Sequence, residues 1–143
     1  MPAEFTYERG VRFSETDMAG VMHFANYYRW MEDCEHAFWQ SLGMSVVLGG
    51  SGPKISWPRV QCTCHYKRPV RFEDEVQLRL RLTRMGGKSI TFAIDFFHDD
   101  QPVASGELSA VCCRMESGRF EAIEIPSEVR EKLAPYVGPK EQA

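Results

Sequence analysis

Apolar residues recur along this chain with two different periods. Residues 5–13 place Phe5, Tyr7, Val11 and Phe13 among polar neighbours, which predicts a first strand. From Phe24 to Leu42 the apolar positions are Phe24, Tyr27, Tyr28, Met31, Cys34, Phe38 and Leu42. Steps of three and four residues make one stripe on a helix, and Gly43 is a natural stop. The other face carries Glu32, Glu35 and Gln40 but also Trp39, an aromatic off the stripe that suggests a second packing surface. A glycine- and proline-rich stretch over 44–58 reads as a mobile loop.

Beyond Pro58 the period is two. Val60, Cys62, Cys64 and Tyr66 alternate with polar residues, as do Val76, Leu78, Leu80 and Leu82, and then Ile90, Phe92, Ile94 and Phe96. Gly86-Gly87 reads as a hairpin turn, both residues tolerating positive φ, and 99–102 as another turn. Residues 103–116 read as one long last strand ended by Ser117-Gly118, and Ser127 as the N-cap of a short terminal helix. Antiparallel strands with one apolar face need a cover, and the only long amphipathic element is the helix at 24–42. The expectation is an α+β fold in a single domain over 1–143. A curved antiparallel five-stranded sheet wraps around one long central helix, with a short helix and tail over 126–143.

Composition narrows the function. The 143 residues are 43% hydrophobic and 26% charged with a net charge of −3, and no long run of like charge occurs. A mildly acidic surface has no general attraction for nucleic acid or anionic membranes. No apolar stretch approaches the roughly 20 residues of a membrane span, and the first residues lack a basic segment followed by an apolar one. A cytoplasmic location is expected, and the five cysteines read as free thiols.

Chemistry is expected where the pattern is least structural. Between the first strand and the helix, 15–27 hold Asp17, Gly20, His23 and Asn26 close together. A carboxylate before a helix, with unpaired N–H groups in the first turn, suits acyl transfer. The carboxylate attacks or activates water, and the N–H groups receive the developing oxyanion. The plainer alternative is that Asp17 caps a turn and His23 packs.

Thr16-Asp17-x-x-Gly20-Val21, Ala25-Asn26-Tyr27, Trp30-Met31-Glu32 and Leu42-Gly43 resemble the signature of the 4-hydroxybenzoyl-CoA thioesterase family of hotdog proteins. Gly87-Lys88-Ser89 and 122–126 extend the resemblance over nearly the whole chain. It implies hydrolysis of an acyl- or aroyl-CoA thioester without a cofactor, in a homodimer or homotetramer whose sites are shared between subunits. An acyl carrier protein is the alternative carrier. The resemblance makes Asp17 the catalytic carboxylate, as nucleophile or general base, and the backbone N–H near Phe24 the donor to the thioester oxygen. His23, Asn26 and Tyr27 would shape the loop with Gly20, and Lys88, with Arg84 and Arg119, would meet coenzyme A phosphates. Many members place His immediately before the Ala-Asn pair; here Phe24 stands there and His23 one earlier.

Other groups read as structural. Cys62, Cys64 and His65 do not make a metal site, because the two cysteines share a strand face and His65 points away. Glu32 and Glu35 read as a solvated or interface face. Lys67, Arg68 and Arg71 read equally as a phosphate site and as an exposed strand end. Trp30 reads as packing, and Cys34 as buried and unreactive. A hydratase or dehydratase, or a non-catalytic acyl-CoA-binding protein, are the rival functions. Unpaired sheet edges, with Trp39 and Phe97 lacking an obvious place in one core, point to a homo-oligomer.

Overall fold

The computed structural model describes residues 2–45 and 54–138. The first strand, β1 (Phe5–Gly10), is shorter than expected, and Phe13–Glu15 form a 3-10 turn instead of its end. The helix α1 (Asn26–Ser41) follows, with Gly43 at φ 74° just beyond it. Of the loop expected over 44–58, residues 46–53 lie outside the described residues, and Lys54–Ser56 form a short strand, β2. Then come β3 (Arg59–Tyr66), β4 (Glu75–Met85), β5 (Ser89–His98) and β6 (Gln101–Val111). The single strand expected over 103–116 is broken at Cys112, beyond which β7 (Cys113–Glu116) and β8 (Arg119–Ala122) pair with each other. A short helix, α2 (Ser127–Leu133), follows, and a 3-10 turn over Ala134–Tyr136 continues it; Pro126 holds the N-cap position of α2 and Ser127 is already helical, so Ser127 is not the cap.

The main sheet is antiparallel in the order β1-β4-β5-β6-β3, and β2, β7 and β8 form a second, three-stranded sheet. Period-two alternation places Leu78, Leu80 and Leu82 of β4 and Ile90, Phe92, Ile94 and Phe96 of β5 on one buried face. The apolar stripe of α1 lies against this face. Phe38 meets Phe5 of β1 and Phe92 of β5 at ring separations of 5.6 and 5.8 Å, and Tyr27 meets Phe96 at 5.4 Å. An antiparallel sheet around one helix is the hotdog arrangement. No helix among the described residues is long and apolar enough to cross a membrane.

Three expectations need correction. The Gly86-Gly87 turn uses no positive φ. Its glycines serve close approach, since a Cβ at Gly87 would come within 3.0 Å of the Glu124 carboxylate. Positive φ belongs instead to Asp99 and Asp100, at 49° and 60°, which form the two-residue turn between β5 and β6. The alternation in β3 is interrupted by a bulge between Arg59 and Gln61, which leaves Val60 64% exposed on an edge strand.

The third correction concerns the far face of α1. Trp39 is 0% exposed and stacks on Trp57 at 5.4 Å, while Phe97 lies under the Arg79 guanidinium at 3.9 Å, so both have places within one chain. Glu35 is neither solvated nor at an interface. It is fully buried, accepts the Trp39 Nε1–H at 3.0 Å and pairs with Arg59 of β3. One helical turn separates Glu35 from Trp39, so the carboxylate satisfies the indole N–H that entered the core.

Burial raises the Glu35 pKa, with Arg59, Trp39 and His36 opposing it. A carboxyl raised in the folded state binds its proton more tightly there than in the unfolded chain. Its contribution is present below the unfolded pKa and lost as pH rises through the folded pKa. Stability should therefore decline from the ordinary carboxylate range upward. The decline should be steeper in Arg59→Ala, which leaves a buried charge unpaired at a cost of about 3–5 kcal/mol, and absent in Glu35→Gln. Urea unfolding across pH measures this; parallel profiles for the three proteins would refute it.

Candidate active site

The segment between β1 and α1 is organised by Glu15. Its Oε2 accepts the Nε1–H of Trp30, a fully buried residue of α1, at 2.7 Å, and the Arg9 guanidinium of β1 at 3.0 Å. Its Oε1 accepts the Arg12 N–H at 2.9 Å. Its carbonyl accepts the His23 N–H and the Asn26 side-chain N–H, both at 2.8 Å. Arg9 also lies over the Trp30 ring at 4.3 Å and pairs with Asp33 at 2.8 Å. One residue thereby joins strand, loop and helix.

Residues 16–22 close into a small loop on this base. Thr16 and Met22 pair in an isolated bridge, the Asp17 N–H donates to the Val21 carbonyl, and the Gly20 N–H to the Asp17 carbonyl. Gly20 sits at φ 79°, a conformation that costs glycine little and other residues more. Asp17 Oδ1 accepts the Ala19 N–H at 2.9 Å, whereas Oδ2 has no partner among the described residues. The side chain of Asp17 thus braces its own turn and does not cap α1, whose N-cap position is Ala25. The Met22 N–H donates to the Val70 carbonyl at 2.8 Å, tying the loop to the connection between β3 and β4.

At the entrance to α1, His23 Nδ1 accepts the Ala25 N–H at 3.2 Å and its ring stacks on Phe24 at 4.7 Å. His23 is exposed rather than packed. The Phe24 N–H has no acceptor among the described residues, and the Phe24 carbonyl accepts the Tyr66 hydroxyl at 3.2 Å. Asp17, Phe24 and Tyr27 line one cleft of about 340 Å³ with Tyr66, Lys67, Arg68 and Pro69 from the end of β3. Burial pushes the Tyr27 phenol up to about 12, so it stays protonated. Asp17, Gly20, His23, Phe24, Asn26 and Tyr27 are thus brought together.

Lys88, Arg84 and Arg119 are not. Lys88 precedes Ser89 and its carbonyl accepts the Cys112 N–H, whereas Tyr27 packs on Phe96. The strand from Ser89 to Phe96 spans about 23 Å at the usual rise, so Lys88 and Asp17 stand at opposite ends of the sheet. Arg84 lies beside Thr91 at Lys88's end, and Arg119 on the hairpin beyond β6; all three are exposed. Sequence reasoning missed Glu15 and Tyr66 and left Lys67 and Arg68 undecided. The only local signal for Glu15 is its position beside the Thr16-Asp17 pair.

No group of three or more His, Cys, Asp and Glu positioned for a metal occurs among the described residues. The five cysteines are free, and burial pushes the Cys34 thiol up to about 12 and Cys64 to about 11, far from a reactive thiolate.

Known proteins resemble this chain over most of its length. A 1,4-dihydroxy-2-naphthoyl-CoA hydrolase from Synechococcus sp. (strain CC9605) is 34% identical over 119 residues, covering 78% of each chain. The solved structure of a gentisyl-coenzyme A thioesterase superposes with a TM-score of 0.77 at 29% identity, over 90% of this chain and 99% of that one. The fold alone is shared with the Dynemicin thioesterase, at a TM-score of 0.82 and 23% identity over 96% of this chain and all of that one. A helix wrapped by an antiparallel sheet, with relatives of this kind, defines the class as a hotdog thioester hydrolase. The chain belongs to the thioesterase-like superfamily, whose family model matches residues 11–133.

Removing the Glu15 carboxylate leaves the buried Trp30 N–H and Arg9 without their shared acceptor. Glu15→Ala should destabilise the fold by about 1–3 kcal/mol, and Glu15→Gln, which keeps an acceptor, by less. Chemical denaturation compares them; equal losses in the two variants would exclude the acceptor role.

Proposed function

We propose that this chain hydrolyses the thioester of an aroyl- or acyl-CoA to a free acid and coenzyme A, with Asp17 as the catalytic carboxylate. The observation that carries this reading is one cleft lined by both Asp17, whose Oδ2 has no partner among the described residues, and Phe24, whose N–H has no acceptor among them. The thioester oxygen accepts the Phe24 N–H at the start of α1, where the helix dipole favours the negative charge that develops. His23 Nδ1 occupies the neighbouring Ala25 N–H, which leaves Phe24 as the donor.

Asp17 then acts in one of two ways. As a nucleophile, its carboxylate bonds to the carbonyl carbon, the C–S bond breaks, and coenzyme A leaves as thiolate and takes a proton. Water hydrolyses the resulting anhydride and restores the carboxylate. As a general base, Asp17 takes a proton from the water that attacks the carbonyl. An aromatic acyl group suits the cleft, whose walls carry Phe24, Tyr27 and Tyr66 beside Met22 and Pro69. The names of the 1,4-dihydroxy-2-naphthoyl-CoA hydrolase and the gentisyl-coenzyme A thioesterase point the same way. The hydratase reading is less supported, because His23 does not line the cleft among the described residues.

The working form proposed is a homodimer. β1 and β3 are the edges of the main sheet, and β3 presents Val60 and Tyr66 at its exposed edge. Two sheets joined edge to edge and antiparallel would bring Lys88 of one protomer toward Asp17 of the other, supplying a contact to coenzyme A that one chain lacks.

Asp17→Asn should lower turnover about 100-fold or more on the best substrate found by screening aromatic and aliphatic thioesters of coenzyme A and acyl carrier protein. Circular dichroism checks that the variant is folded, and near-wild-type turnover by a folded variant would sink the assignment. Lys88→Ala should raise KM with kcat little changed. Refolding Asp17→Asn and Lys88→Ala together should regenerate a fraction of sites with wild-type KM and kcat, since a mixed dimer holds one site with both residues. Recovery of no such fraction, or an active monomer in sedimentation, would defeat the shared site.

A further inference from the structure

The cleft holding Asp17 has a second one as its neighbour. Arg68 and Pro69 form a wall of both, and beyond them lies a cavity of about 350 Å³ whose other lining residues are Arg71, His98, Asp99, Gln101 and Val103. The shared wall is fixed from both sides. The Lys67 and Arg68 N–H groups donate to the Val103 carbonyl at 2.8 and 3.1 Å, and the Val70 carbonyl receives Met22 from the Asp17 loop. The Arg71 N–H donates to Asp74 Oδ2 at 2.8 Å, which sets the backbone from which its side chain projects.

The charge in this second cavity is unbalanced. Neither Arg68 nor Arg71 has an ion-pair partner among the described residues. The two acids nearby are occupied. Asp74 Oδ1 and Asp99 Oδ2 stand 3.7 and 3.4 Å from His98 Nε2, while His98 Nδ1 faces the Glu75 carbonyl at 2.8 Å. The Glu75 carbonyl, ahead of Asp74 and Asp99, raises the His98 pKa. Both carboxylates face His98 and neither pairs with a guanidinium, so Arg68 and Arg71 bring two positive charges to a cavity whose lining holds one carboxylate, Asp99.

We propose that this second cavity receives the phosphate end of the substrate, with Arg68 and Arg71 of the same chain that carries Asp17 as its contacts. The inference rests on the thioesterase reading of the first cleft. It adds that acyl group, thioester and phosphates lie along one continuous groove over Pro69, the acyl group and thioester at the Asp17 end. A phosphate oxyanion matches a guanidinium fork, which binds it through paired charge-assisted hydrogen bonds. Arg68 stands at the junction and Arg71 on the far side, as an extended thiol carrier with its charge at one end requires. Any Lys88 contact from a partner would be additional.

The test compares the wild type with Arg68→Ala/Arg71→Ala and, as a milder second variant, Arg68→Gln/Arg71→Gln. Calorimetric titration with coenzyme A itself, which needs no turnover, should show affinity reduced about tenfold or more in both. KM for acyl-CoA should rise similarly, and its dependence on salt should flatten. The single variant Arg71→Ala, whose residue does not line the Asp17 cleft, should keep the wild-type kcat and should hydrolyse the same acyl group on pantetheine, which has no phosphate, with the wild-type kcat/KM. Unchanged coenzyme A affinity in folded variants overturns the proposal. So does an equal loss on the pantetheine thioester, or a loss confined to thioesters of acyl carrier protein. If the wild type hydrolyses no thioester, the thioesterase reading fails, while the coenzyme A titration still decides the subsite.

Discussion

The carboxylate of Glu15 is the constraint on which the candidate site depends. A tryptophan N–H driven into a core must find an acceptor, and Trp30 is fully buried on α1 with its indole nitrogen turned toward the end of β1. Glu15 supplies that acceptor and in doing so brings its own backbone to the helix entrance, where its carbonyl takes the N–H groups of His23 and Asn26. The chain between residues 15 and 23 then has both ends fixed at one point and must turn within seven intervening residues. A loop so confined holds Asp17 on the outside of its turn, close to the first residues of the helix. Arg9 adds a second purpose, balancing the charge of Glu15 while covering the Trp30 ring.

The same helix uses the device twice. Trp30 and Trp39 both enter the core and both satisfy their N–H on a glutamate, Glu15 from the 3-10 turn after β1 and Glu35 from the previous helical turn. The difference lies in what balances the acid. Arg9 also serves Asp33, whereas Arg59 comes from the edge strand β3 to a carboxylate with no exposure. The second anchor therefore ties α1 to the sheet edge farthest in sheet order from β1, and the two anchors hold the helix across the width of the sheet.

What could be read from the sequence follows the range of the interactions concerned. The strands β4 and β5 were legible because a period of two reports one buried face whatever lies beyond it, and α1 because its stripe is local. The cluster of Asp17, Gly20 and Asn26 was legible because these residues are close in the chain and a single turn brings them together. The far wall of the cleft was not: Tyr66 reaches the Phe24 carbonyl across 42 positions. Glu35 was misread because a glutamate on a helix is ordinarily solvated, and the charge that offsets its burial most, Arg59, lies 24 positions away. The bulge that turns Val60 outward has no marker in the alternation around it, and the break at Cys112 was hidden by apolar residues on either side.

Position 24 carries a further meaning. Phe24 is 62% exposed and lines the cleft, and its backbone N–H has no acceptor among the described residues, while Tyr66 and the first turn of α1 hold its peptide in place. In the proposed reaction, the group that recognises the acyl chain and the group that stabilises the oxyanion thus belong to one residue but to different parts of it. The side chain can be exchanged for a smaller or more polar one while the amide stays where it is. Substrate range and catalytic power are separable there, which gives a lineage of such enzymes a position at which to acquire new thioesters without rebuilding the chemistry.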